Sequence, residues 1–131
     1  MITSMDALIA RFLSSFENLD LPAFIACFAD DATVFFPQPD PAERFDGREA
    51  IQRQFGIVFE RIRSQAAGGP PYHRLVPEDL RCEQIAPDVG LVSFHLRNAE
   101  RTARRTLVLR HHPDGWRVQH LHASNVWLTG Q

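Results

Sequence analysis

The sequence predicts an α+β domain in which three N-terminal helices pack on a curved, mostly antiparallel sheet. Apolar residues recur at helical spacing as far as Ile62, and from Tyr72 onward the pattern changes to the alternation of strands. A run of helices followed by a run of strands is the order of α+β folds, not of parallel α/β sheets. The length, 131 residues, suits one domain over 1–131 with one core.

Thr3 or Ser4 is placed to cap the first helix, with Asp6 in its first turn, where the helix dipole favours an acid. Leu8, Ile9, Phe12, Leu13, Phe16 and Leu19 form its apolar face. Asp20 caps a second, short helix that tolerates Pro22 in its first turn and turns Leu21, Phe24, Ile25 and Phe28 inward. Asp30-Asp31 ends that segment and leads into a short strand over Ala32–Phe36, which is rich in β-branched and aromatic residues. Three prolines make Pro37–Asp46 an irregular loop. Asp46, followed three positions later by Glu49, is a capping-box-like start to a third helix with Ile51, Phe55, Val58, Phe59 and Ile62 on its inner face.

Four strands are predicted after Gly68-Gly69-Pro70-Pro71, over Tyr72–Ile85, Val89–Asn98, Ala103–His112 and Trp116–Trp127. Ala86-Pro87-Asp88 and Pro113-Asp114-Gly115 supply turn chemistry between them.

Composition narrows the function. A net charge of −2 gives no basic field for nucleic acid or an anionic membrane, and no apolar run approaches a membrane span. Met1–Phe16 reads as an amphipathic helix, not a signal peptide. All 14 cationic side chains are arginine, which excludes a Schiff-base lysine. Cys27 and Cys82 are isolated thiols without zinc or redox spacing, so a reduced, cytoplasmic chain is expected. No phosphate loop or nucleophile motif is present, and the expectation is a chain without cofactor or bound metal.

The candidate site lies on the strands. Simple alternation puts Trp116, Val118, His120, His122 and Ser124 on one face of the last strand. With a turn at His112–Gly115, Leu109 would face Val118, Leu107 would face His120 and Arg105 would face His122. That face is apolar near the turn and polar away from it, as expected where a sheet first packs on helices and then floors a cavity. His95 shares a parity with Leu91 and Ser93 and joins the same floor. His120 and His122 are the candidate acid–base residues, with His95, Arg105 and Ser124 as ligand-binding neighbours. The competing reading places the histidines at a rim or interface, with Leu121 and Ala123 inward. His120-Leu-His122 resembles half a metal clip, but spacing fixes no third ligand.

The opening LIARFLSSFENLDLPAFIACFADDATVFFP, the later FDGREAI and the closing DGWRVQHLHASN resemble the nuclear-transport-factor-2-like superfamily, and most closely its SnoaL-like members. The resemblance covers nearly the whole chain. It implies a cone in which the sheet wraps the helices, with a cavity at one end and an outer face that forms a homodimer. Ketosteroid isomerases share a similar opening, but their tyrosine donor and aspartate base fall on Phe12 and Phe36 here, which can do neither job. The kinase association domain resembles the final strand. Of its cavity arginines, one falls near His95 and another at Leu107, with Arg105 two residues away.

Two functions follow as expectations. The first is a pocket for a small, largely apolar molecule with a polar or acidic group, walled by Tyr72, Phe12, Phe16, Phe35, Phe36, Phe55 and Phe59. Its enzymatic version is a cofactor-free lyase, isomerase or hydratase with a histidine base. The second is a non-catalytic association module whose outer patch is Leu121, Ala123, Val108 and Leu96.

Overall fold

A computed structural model describes residues 2–128; Met1 and residues 129–131, the outer limits of the predicted domain, lie outside the described residues. Helix α1 spans Met5–Glu17 and is capped by Ser4, whose hydroxyl accepts the Ala7 N–H at 3.0 Å. Helix α2 spans Leu21–Ile25, and the Asp20 carboxylate accepts the Ala23 N–H at 3.2 Å. The hairpin between them is tightened by Leu19, at φ 52°, after which the Asp20 N–H reaches the Ser15 carbonyl. Helix α3 spans Arg48–Gln65. Asp46 was expected to cap it and does not, because its carboxylate is held by Arg44 at 2.6 Å. Gly47 takes the cap position instead, at φ 91°, a conformation that favours glycine, and its N–H bonds the Ala32 carbonyl.

Six strands form one open, mixed sheet in the order β2-β1-β6-β5-β4-β3. They are β1 Phe28–Phe35, β2 Phe45–Asp46, β3 Glu78–Ala86, β4 Val89–Arg97, β5 Arg101–His112 and β6 Gly115–Trp127. Only β1 and β6 are parallel, and the other neighbours are antiparallel. Three boundaries depart from the sequence reading. Strand β1 starts earlier, at Phe28, and β2 forms inside the predicted loop by pairing Phe45 with Val34. Strand β3 starts at Glu78 instead of Tyr72, because the backbone N–H groups of Tyr72 and His73 are turned to the Glu17 carbonyl of α1.

The inner face of the sheet is continuous. Val92 and Phe94 of β4, Ala103, Leu107 and Leu109 of β5, and Trp116 and Val118 of β6 are all buried. On β6 the alternation then slips. Leu109 pairs with Val118 and Val108 with His120, so Gln119 is an extra residue in the strand. Beyond that bulge Leu121, Ala123 and Asn125 face inward, while His120, His122 and Ser124 face outward.

The helices close the core with an aromatic cluster around Phe24. Its ring lies 4.9 Å from Phe12, 5.3 Å from Phe28 and 4.7 Å from Phe55, centroid to centroid. Offset and edge-on packing of this kind adds to the apolar burial of each ring. This cluster holds the helices against one end of the sheet and leaves the other end open.

Candidate functional site

That open end is a cavity of about 670 Å³. Phe12, Phe16, Phe36, Phe55 and Tyr72 wall it from the helical side. Its sheet side is Phe94–Arg105–Ala123 in one row and Leu96–Ala103–Asn125 in the next. Arg105 is thus the first polar side chain met after the apolar rows of Leu107 and Leu109 on the same strand face. The polarity gradient expected along the sheet is present on β5.

Arg105 is tied down by its own backbone surroundings. One guanidinium nitrogen, Nη1, donates to the carbonyls of Arg104 at 3.0 Å and Ser124 at 3.2 Å. Among the described residues it has no carboxylate partner. Loss of water and the nearby Arg101 guanidinium draw its pKa down to about 10, so it stays charged at neutral pH. Arg101 also lines the cavity, its guanidinium 5.6 Å from the centre of the Trp127 ring. A charged, unpaired guanidinium over apolar walls favours a carboxylate or similar anion.

The segment 66–77, between α3 and β3, contributes Ala66 and Tyr72–Val76 to the cavity lining, His73 among them. The segment is anchored by Glu17, whose carbonyl accepts the N–H of Tyr72 and of His73, and whose carboxylate accepts the Leu75 N–H at 2.6 Å. The His73 ring stands edge-on to Phe16 at 6.1 Å. Burial, then the charges of Arg101 and Arg105, lower its pKa, and Glu17 acts in the opposite sense. The imidazole is therefore neutral at pH 7. Sequence reading missed this residue because it assigned Tyr72 onward to a strand. The signal that was available is the Gly-Gly-Pro-Pro run just before it, followed by Pro77, which starves the segment of ladder donors.

A second polar group, Asp40 with Arg61, lines the cavity. The Asp40 side chain is only 7% exposed and pairs with Arg61 at 2.8 Å. The same oxygen, Oδ1, accepts from Gln54 Nε2 at 3.1 Å.

The bulge at Gln119 decides where the predicted residues of β6 fall. Arg105, Tyr72, Phe12, Phe36 and Phe55 line the cavity. Phe59 does not; it is 2% exposed and stays in the core against Phe16. His120 and His122 sit on the outer face with Phe35, which also leaves the predicted wall; its ring lies 5.9 Å from His120 and 5.1 Å from His122. His120 Nδ1 is 2.6 Å from the Thr33 hydroxyl, and burial with the neighbouring His122 lowers its pKa. The Ser124 hydroxyl accepts from Arg104, also on the outer face. His95 pairs across the sheet with Arg104 and shares that face, since Val92, Phe94 and Leu96 point inward on β4. Of the predicted outer patch, Val108 faces out as expected, but Leu121 and Ala123, through the bulge, and Leu96, through the parity of β4, line the cavity. Among the described residues, no three His, Cys, Asp or Glu side chains are grouped to hold a metal ion. No helix among them is long and apolar enough to cross a membrane.

A few helices laid on a mixed, open sheet, with a cavity between the two layers, define a class of α+β pocket folds. Within that class the chain belongs to the SnoaL-like domain family, which matches residues 5–128. Among solved structures, it is similar to a nuclear-transport-factor-2-like protein of unknown function from Pseudomonas putida, at 23% identity and a TM-score of 0.72, over 92% of this chain and 82% of that one. A provisionally assigned calcium/calmodulin-dependent protein kinase type II association domain from Thiobacillus denitrificans matches at 23% identity and 0.68, over 96% and 98%. A provisionally assigned ketosteroid isomerase from Parabacteroides distasonis matches at 18% identity and 0.69, over 95% and 88%. At these identities the likeness is one of fold. No curated protein matches the chain.

Proposed function

We propose that the protein binds a small, largely apolar molecule through an acidic group seated on Arg105. The observation that carries this reading is a charged guanidinium without a carboxylate partner among the described residues, in a cavity whose helical side carries Phe12, Phe16, Phe36 and Phe55. The apolar walls supply affinity by excluding water, and the guanidinium sets orientation. A cofactor-free lyase, isomerase or hydratase step in this cavity would use His73, the histidine that lines it, in place of His120 or His122. The loss of tyrosine and aspartate at Phe12 and Phe36 argues against steroid isomerisation.

Calorimetry with octanoate, beside methyl octanoate, tests the reading. Tighter binding of the acid than of the ester, abolished in Arg105→Met, is the expected result. Equal binding of acid and ester would overturn it.

The homodimer is proposed through the outer sheet face, where Leu91, Val108, Phe35 and Thr33 lie half-buried in neighbouring rows. Sedimentation at two ionic strengths measures it, and a monomer at micromolar concentration would remove it.

A further inference from the structure

We infer that His73 completes the anion seat of Arg105 and Arg101, taking up a proton when a carboxylate ligand enters the cavity. The inference rests on the reading of the cavity as an organic-acid site and adds a residue and a ligand-linked proton to it.

The case begins with position. His73, Arg101 and Arg105 line one cavity although they come from a loop and from β5. Neither ring nitrogen of His73 has a hydrogen-bond partner among the described residues; the ring packs at a steep angle to that of Phe16. Its backbone is fixed at the same time, by the N–H bond to the Glu17 carbonyl. An imidazole with a held backbone and free nitrogens is poised to bond something that enters the cavity.

The charges around it give the direction of the proton. Arg101 and Arg105 face it from β5, Glu17 from α1, and Arg74 is its neighbour on its own loop. The Glu17 carboxylate is already bonded to the Leu75 N–H, so the balance seen by the ring is cationic. Glu78, further along the cavity rim, is matched by Arg97, and Asp40 by Arg61. Without a bound acid, burial and then the cationic neighbours keep the imidazole neutral. A ligand carboxylate on the two arginines cancels their repulsion and brings an acceptor to the ring. The imidazolium is then favoured, and ligand and proton bind with positive coupling.

Linkage fixes the sign of the pH effect. Affinity for the acid is greatest below the free-state pKa of His73 and declines as pH rises through the ligand-bound pKa. A neutral ligand shows no such decline.

Proton NMR of the imidazole C2–H signals, with His73 assigned by its loss in His73→Gln, tests this on the intact protein with octanoate as probe. The expected result is a His73 midpoint below the ordinary value of about 6.5 in the free protein, raised by about one unit at saturation. Octanoate affinity should fall at least fivefold from pH 5.5 to 7.5 in the parent and stay level in His73→Gln. Octanoate that binds through Arg105 while leaving the His73 midpoint unmoved would overturn this inference alone. No binding of octanoate at any pH would overturn the acid-site reading and this inference with it.

Discussion

Val108 pairs with His120, while its neighbour Leu109 pairs with Val118, two positions back along β6. One extra residue, Gln119, therefore sends two histidines to the outer face and turns Leu121 and Ala123 to the cavity. The register of two strands thus determines which chemistry the cavity contains.

His120→Ala and His122→Ala should leave octanoate affinity within about twofold of the parent, since both rings lie on the opposite face from the cavity. Arg105→Met should weaken it at least tenfold, in keeping with about 1.5–3 kcal/mol for a hydrogen bond to a charged group. Calorimetry on the three variants separates them.

The aromatic cluster makes Phe24→Ala the most damaging single truncation in the helical layer. Phe24 is fully buried and meets Phe12, Phe16, Phe28, Phe55 and Phe59. A loss of about 3–5 kcal/mol is expected in urea unfolding. Truncating Ile57 to alanine, 56% exposed on α3, should cost less than about 1 kcal/mol.

Helix caps and apolar spacing made α1 and α2 readable: Ser4 and Asp20 cap as their positions predict. The face of β6 was not readable by alternation, because His120/His122 and Leu121/Ala123 alternate equally well. A single inserted residue leaves no glycine or proline behind it. The clue was continuity. Trp116 and Val118 are apolar, and an apolar face resumes at Leu121 and Ala123 only if one residue is skipped. Arg105 lies on the expected inner face because β5 itself carries no extra residue, although its partner is Ala123 and not His122. His73 was hidden because its segment takes its structure from Glu17, which is distant in sequence.

Asp40→Asn should destabilise the protein by about 1–2 kcal/mol. The carboxylate is buried, but Arg61 is 40% exposed and regains water when the pair is lost, so the cost is below that of a fully buried pair. Thermal unfolding at 0.1 and 1 M salt measures both the loss and its weak screening.

The two thiols should differ sharply. Burial pushes the Cys27 thiol up to about 11, and its side chain is sealed in the core. Native protein at pH 8 should therefore titrate one thiol with a disulfide reagent, half-buried Cys82, and two only after unfolding.

Stability should fall on mild acidification. The folded pKa values of His73 and His120 lie below their ordinary value, so the unfolded chain binds more protons just below pH 6.5. Their neutral forms suit the fold fully above the unfolded pKa. The penalty grows as pH falls through that value toward the folded one. Urea midpoints from pH 7.5 to 5.5 should decline in the parent and decline less in the His73→Gln, His120→Gln double variant.

The parallel pairing of β1 with β6 sets the order in which the protein can be made. Thr33 finds its partner His120 only after 87 further residues have been synthesised. Until then the inner face of β1 and the phenylalanines of the helices have no finished sheet to cover them. Such long-range closure slows folding and delays the native state until β6 has been synthesised. On the ribosome, the nascent chain therefore exposes apolar segments of the kind that chaperones hold, until β6 emerges to cover them.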